Sequence, residues 1–345
     1  MPQPDQDRHL YHALVDAQLR ARLPPFWTSL AAQSSTCVPA STVIVTIVNR
    51  AHAPLLQIQR KPLPPCFLRR YGALCFDDTN ANATCVRWPA RSLGVGLAYT
   101  ALTWLKWEVL HLALAAPGVR AALWIDCDVA ILRSPFGGWL GAVASTVDLT
   151  HQRNSIAGDI NTGVMLVRSE QLARRVLEVR SVTPQHLWPT YSTPFHGCMS
   201  LCVAGVTMVG NAPPRPRAGD SGPPHHRPLC FHVRALVSVC TSVARAASPK
   251  CGRQVVVQRL LNGTGFAIAG APHTSLASYC WLRVREGAPL TPYAQSLLCR
   301  PSMLHANCLS AVADKAAAMS GAAAASRERC GNGWVGNTRT IYSFI

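Results

Sequence analysis

Two carboxylates two residues apart, Asp126 and Asp128, interrupt an otherwise apolar run from Ala121 to Leu132 (AALWIDCDVAIL). Left unpaired in an apolar interior they would be strongly destabilising. In an open parallel sheet, ligands bind beyond the carboxyl ends of the strands, so the pair belongs at that edge, where the strand opens into a loop. A hard divalent cation would offset the repulsion. Mg2+ or Mn2+ accepts carboxylate oxygens, and the phosphates of a substrate complete its shell. The same pair also serves in ordinary turns, so the rest of the chain has to decide between the two uses.

Other residues could join this chemistry. His305, in His305-Ala306-Asn307, offers an imidazole suited to Mn2+, whereas Mg2+ prefers oxygen alone. A histidine near a helix start is also an ordinary structural residue. Lysine occurs only at positions 61, 106, 250 and 315. Lys106 lies before the carboxylate pair and Lys315 after the histidine, where each could neutralise a departing diphosphate or simply be solvated.

The elements that must position these groups read as an α/β chain. Ser41 to Val48 (STVIVTIV) is a β-branched run that fits a buried parallel strand, and Tyr71 to Asp78 a second strand closing on two carboxylates. Leu97 to Ala115 predicts a long buried helix ended by Pro117-Gly118, followed directly by the Asp126 strand. A third strand over Gly163 to Val167 and a helix from Glu170 to Arg180 continue the pattern, that of a mostly parallel sheet flanked by helices. A helix beginning near Leu309 is expected to end close to the alanine tract Ala322 to Ala325. At the other end, a helix from His12 to Leu23 is expected to stop at Pro24-Pro25, with residues 1–36 forming a stem or overhang ahead of one domain over 37–345. Within that domain 211–228 (NAPPRPRAGDSGPPHHRP) read as a Pro/Gly/Arg-rich insertion.

Three separated blocks carry a resemblance. Trp104-Leu105-Lys106-Trp107 through LWIDCDVAILRSP, then Asp159-Ile160-Asn161-Thr162-Gly163-Val164, then His305-Ala306-Asn307 with Lys315 ten residues on, resemble the nucleotide-diphospho-sugar transferase family. The similarity spans roughly residues 42–335. It implies a GT-A fold, a Rossmann-type α/β architecture, and transfer of a sugar from a UDP-sugar to a hydroxyl of a glycan or glycoprotein, with retention of configuration and Mn2+ as the ion. By the same resemblance Asp126 and Asp128 are the D-x-D motif that holds the metal and the donor ribose and diphosphate, and His305 completes the metal shell. Asn161 and Gly163 match an N-x-G block, where the amide faces the sugar or acceptor and the glycine allows close backbone approach. Sheet logic then places Thr46, Asn49 and Asp77 against uridine. The chain departs from the family pattern at Cys308 and Ala311, where tryptophan and glycine are expected. An Asp-Gln pair after the third strand is absent unless Gln185-His186 is its remnant.

Composition bounds the alternatives. The chain has 345 residues, 49% hydrophobic and 14% charged, enough apolar surface for a sizeable core. Its net charge of +17 attracts polyanions in general. A basic nucleic-acid- or glycan-binding protein without catalysis is therefore the competing class, although no recognised nucleic-acid module accompanies the charge and no specific nucleic-acid partner is expected. A sugar nucleotidyltransferase would need a glycine-rich phosphate loop near the first strand, which VTIVNRAHAP lacks. His196, Cys198, Cys202, His225, His226, Cys230 and His232 match no standard zinc spacing. Fourteen cysteines and the sequons at Asn82 and Asn262 favour an oxidising lumen; taken with the resemblance above, the expected location is the secretory pathway, in the Golgi lumen. No signal peptide or membrane anchor is read in the chain, which makes an incomplete start the expectation.

Overall fold

The computed structural model describes residues 17–76, 85–88, 95–138, 140–141, 147–153, 160–182, 265–279, 299–307 and 309–330. The chain divides into two compact units, Met1–Ser181 with Gln254–Ile345, and Val182–Arg253. Apart from Val182, every described residue belongs to the first unit. The expected insertion at 211–228, the His/Cys group between 196 and 232, both sequons, Asp77, Asp159 and the Gln185-His186 pair lie outside the described residues.

In chain order the unit runs α1 (Ala17–Ala32), β1 (Thr42–Val48), α2 (Ala53–Arg60), β2 (Tyr71–Phe76), β3 (Cys85–Trp88), α3 (Val95–Leu114), β4 (Ala121–Ile125), β5 (Val129–Ile131), β6 (Leu149–Arg153), β7 (Ile160–Val167), α4 (Glu170–Val182), β8 (Ile268–Ala271), β9 (Leu276–Ser278), β10 (Met303–His305) and α5 (Val312–Cys330). A seven-stranded sheet has the order β3-β2-β1-β4-β7-β6-β8, and a three-stranded sheet the order β5-β10-β9. In the larger sheet β3, β2, β1 and β4 are mutually parallel, as are β6 and β8. β7 runs antiparallel to both its neighbours. The mostly parallel sheet flanked by helices is thus observed, but the third strand of the sequence reading is not parallel to the second.

Strand β1 shows why the sheet forms. All seven residues are buried, and its β-branched side chains alternate between two cores. Val43, Val45 and Ile47 meet α1, α3 and α4, while Ile44 and Val48 meet the α2 side and the smaller sheet. That smaller sheet is covered on its far side by α5, whose Met319 and Ala322 pack with Leu55, Ala130 and Leu304.

Two expectations are corrected. Residues 17–32 are not an overhang: α1 continues through Pro24 and Pro25, and Leu23, Trp27 and Leu30 are buried in the main core. An interior proline disfavours a helix by about 3 kcal/mol, yet burying three large side chains gains roughly 1.5–3 kcal/mol each, so packing decides. Gly72 of β2 belongs to this arrangement, because a Cβ there would stand 2.3 Å from the Trp27 ring. The second correction concerns α5, which does not end at the alanine tract but runs to Cys330. Alanine is the best helix former, and the small face at Ala322 lets the helix approach the smaller sheet.

Candidate active site

The carboxylate pair sits where the chain changes sheets. β4 ends at Ile125, the Val129 amide donates to the Asp126 carbonyl at 3.2 Å, and β5 leaves for the smaller sheet. Asp126 and Asp128 therefore occupy the first and third positions of a four-residue turn. The Asp126 amide donates to the Gly163 carbonyl at 2.8 Å, and the Ala306 amide to the Asp128 carbonyl at 2.9 Å. The turn is tied on one side to β7 and on the other to the residue after β10.

Each carboxylate has its own lysine. Lys106, buried on α3, places Nζ 3.0 Å from Asp126 Oδ1 and donates to the Thr162 carbonyl at 2.7 Å. The same ammonium lies 5.0 Å from the centre of the Trp124 ring, whose Nε1 donates to Asp126 Oδ1 at 2.6 Å. Lys315, in the first turn of α5, donates to Asp128 Oδ2 at 2.5 Å, while His305 Nε2 lies 3.2 Å from Asp128 Oδ1. Burial works to raise the Asp128 carboxyl, but His305 and Lys315 outweigh it and hold the group well below the usual carboxylate range.

His305 is oriented from behind. Gln152 Nε2 donates to the Ala277 carbonyl at 2.8 Å, which fixes its amide and turns Oε1 toward His305 Nδ1 at 2.9 Å. Gln152 Oε1 can only accept, so Nδ1 carries a proton and Nε2 is the ring nitrogen turned toward Asp128. Gly163 lies beneath the ring, where an added Cβ would come within 2.1 Å of His305 Cε1. The β6–β7 pairing shifts register here, from His151 with Met165 to Gln152 with Asn161. Such an irregularity re-aims a strand next to a site.

One ligand atom each from Asp126, Asp128 and His305 lies within 4.8 Å of the others. Two carboxylate oxygens and the nitrogen of an imidazole oriented by Gln152 are a donor set that fits a divalent ion such as Mn2+. The Asp126 side chain is 30% exposed, so the cluster is open on that side.

The remaining expected residues fall in different places. Asn161 is buried, and its Oδ1 accepts from the Gly163 amide at 2.8 Å, so it shapes β7 under His305. Thr46 is fully buried inside the sheet beside Tyr71, not at the open edge. Asn49 does stand at the edge, where its Oδ1 accepts from the His52 amide at 3.0 Å and lies 2.7 Å from His52 Nδ1. His52 was not foreseen. Burial first, then Lys315, lowers its pKa, while Asp128 and Asp126 act in the opposite sense, which places the imidazole within electrostatic reach of the cluster. Gln59, Tyr71 and Gln152 were also missed. Their one sequence signal is polarity on an otherwise apolar face, as at Gln59, which shares the buried stripe of α2 with Leu55 and Leu56.

No family model and no curated protein matches the sequence. Among solved structures, the chain is similar to several that bear the names of glycosyltransferases. The glycosyltransferase GlyE of Streptococcus pneumoniae TIGR4 aligns with 83% of this chain at 10% identity and a TM-score of 0.39, and the chain spans 63% of that protein. The galactosyltransferase LgtC, solved with donor and acceptor sugar analogs, aligns with 81% of this chain and 95% of its own at 11% identity and a TM-score of 0.38. Mouse xyloside xylosyltransferase 1 aligns with 77% of this chain and 98% of its own at 11% identity and a TM-score of 0.39.

Proposed function

We propose that the chain is a metal-dependent glycosyltransferase that moves a sugar from a nucleotide-diphosphate donor, a UDP-sugar, to a hydroxyl of a glycan or glycoprotein. The observation that carries this reading is the convergence of Asp126, Asp128 and His305 within 4.8 Å, flanked by two lysines, on a turn at the carboxyl edge of the sheet. Asp126, Asp128 and His305 would hold Mn2+, and the bound ion would supply Lewis-acid stabilisation to the diphosphate.

The protein's own groups do the rest. With both lysines in place the carboxylate pair carries balanced charge, so the turn is stable before any ligand arrives. Lys315 sits on a flexible four-carbon stem with 18% of its side chain exposed, and would swing its ammonium from Asp128 to pair with the diphosphate as negative charge builds on the leaving nucleotide. Lys106 is more buried, bound to the Thr162 carbonyl as well, and keeps Asp126 oriented. Gln152 and Gly163 fix the orientation and height of His305, and Asn161 fixes Gly163. Asn49 and His52 stand at the same edge, where a nucleoside would lie. Transfer proceeds with retention of configuration, and no residue is assigned as a nucleophile.

An oxidising compartment fits the disulfides Cys37–Cys66 and Cys299–Cys330, and Cys75 is also disulfide-bonded. No described helix is long and apolar enough to cross a membrane. The secretory lumen, and the Golgi within it, is the proposed location.

The test is a donor screen. Purified protein is incubated with Mn2+ and a panel of UDP-sugars, and UDP release is followed with and without glycan acceptors, with Asp128→Ala as control. Turnover of at least one donor by the wild type and not by the variant supports the proposal. Turnover of none, or equal turnover by both proteins, contradicts it.

A further inference from the structure

Gln59 is fully buried on a helix stripe where a leucine would ordinarily sit. Every strong hydrogen-bonding capacity of its amide is used. Nε2 donates to the Asp126 carbonyl at 2.9 Å and to the Val129 carbonyl at 2.8 Å. Oε1 accepts from the hydroxyl of Tyr71, itself buried at the start of β2. The Arg60 guanidinium lies 5.5 Å from the centre of the Tyr71 ring and covers it. Because the Asp126 and Val129 carbonyls can only accept, the amide cannot flip, and both of its N–H groups are held toward the turn while the Tyr71 hydroxyl donates to Oε1.

The two carbonyls it reaches are the first and last of the turn that carries Asp126 and Asp128. Val129 is where the chain passes from one sheet to the other, so ladder pairing does not by itself fix the shape of this turn. A side chain from a different element bridges its two ends, alongside the bond from the Val129 amide to the Asp126 carbonyl. Changing the separation of those ends would change the separation of the carboxylates between them. A buried amide with every partner satisfied is a rigid brace, while one left half-satisfied would be destabilising.

We infer that Gln59, anchored at Oε1 by Tyr71, is a positioning residue that sets the spacing of the Asp126 and Asp128 carboxylates and hence the affinity of the site for a divalent cation. This rests on the metal-binding reading above. The two ideas are separable by experiment, because binding of Mn2+ can be measured without donor or acceptor.

Mn2+ is titrated into the purified full chain, with free ion followed by electron paramagnetic resonance, for the wild type, Gln59→Leu, Tyr71→Phe and Leu30→Ala. Thermal midpoints are recorded for each. Gln59→Leu keeps the volume and removes both donors together with the acceptor, and Tyr71→Phe removes only the hydrogen bond that anchors Oε1. Leu30→Ala destabilises the other core, which does not include Tyr71 or Val129. The expected result is Mn2+ binding at least tenfold weaker in Gln59→Leu, severalfold weaker in Tyr71→Phe, and unchanged in folded Leu30→Ala despite a lower midpoint. If Gln59→Leu does not fold, Tyr71→Phe decides alone. Wild-type affinity in the folded Gln59 or Tyr71 variant overturns the inference and leaves the metal site standing. Equal weakening in Leu30→Ala also overturns it, since the effect would then follow general stability. Absence of Mn2+ binding by the wild type overturns the metal reading and the inference with it.

Discussion

Gly163 lies directly beneath the imidazole of His305, so close that a Cβ on it would fall 2.1 Å from Cε1, 2.5 Å from Nδ1 and 2.9 Å from Nε2. Ordinary contact needs more than 3.4 Å, so Gly163→Ala must push the ring by over an ångström and break its bond to Gln152. A misplacement of that size in a reacting constellation reduces turnover by about 100-fold. We expect Gly163→Ala to fold, to bind Mn2+ weakly and to lose UDP-sugar turnover by that order. Activity within threefold of wild type would show that His305 is not part of the site.

Lys315 and a divalent ion share one carboxylate, Asp128, whose Oδ2 already accepts the ammonium at 2.5 Å. Removing the lysine should therefore move two measurements in opposite directions. In Lys315→Met, Mn2+ binding in the absence of nucleotide is expected to tighten, because a competing cation is gone. The turnover number is expected to fall by roughly 100- to 1,000-fold, because a charge on the leaving diphosphate is lost. Weaker Mn2+ binding would mean that Lys315 supports the turn and does not compete for it.

The Cys299–Cys330 disulfide closes a loop with a sequence separation of 31 that contains both His305 and Lys315. Closing a loop of that length stabilises by roughly 3–4 kcal/mol. The double variant Cys299→Ser, Cys330→Ser should show a lowered denaturant midpoint and, with the loop loosened, weaker Mn2+ binding. An unchanged midpoint would contradict the staple role.

How much of this was legible in the residues differs from group to group. Asp126 and Asp128 stood out because charge inside an apolar run demands an explanation, and β1 and α3 because their patterns extend over many residues. His305 was visible only through its company, Ala306, Asn307 and Lys315. Gln59 and Gln152 were not visible, because their roles are set by partners 67 and 153 positions away. Periodicity also carries no strand direction, so the antiparallel β7 could not be read, and α1 persists through Pro24-Pro25 because tertiary burial of Trp27 outweighs a local break. Thr46 has the right position along β1 but the wrong burial, which depends on Tyr71 from the neighbouring strand.

Three described histidines, His52, His151 and His273, have pKa values lowered from 6.5, in each case by burial foremost, with Lys315 or Arg153 adding to it. The folded chain binds fewer protons at these sites than the unfolded chain. Their contribution to stability is thus complete above about pH 6.5 and is lost as the pH falls through the lowered values. Urea denaturation should give a smaller unfolding free energy at pH 5.0 than at pH 7.5. Equal or greater stability at pH 5.0 would contradict the neutral state of these rings.

The central claim is that Asp126, Asp128 and His305 hold one divalent ion. Its most direct test is the stoichiometry of Mn2+ binding to the wild-type chain, Asp128→Asn and His305→Ala, read from the free-ion signal in electron paramagnetic resonance. One ion per wild-type chain is expected, with binding lost in Asp128→Asn and weakened at least tenfold in His305→Ala. Equal Mn2+ binding by all three proteins, or none by the wild type, would contradict it.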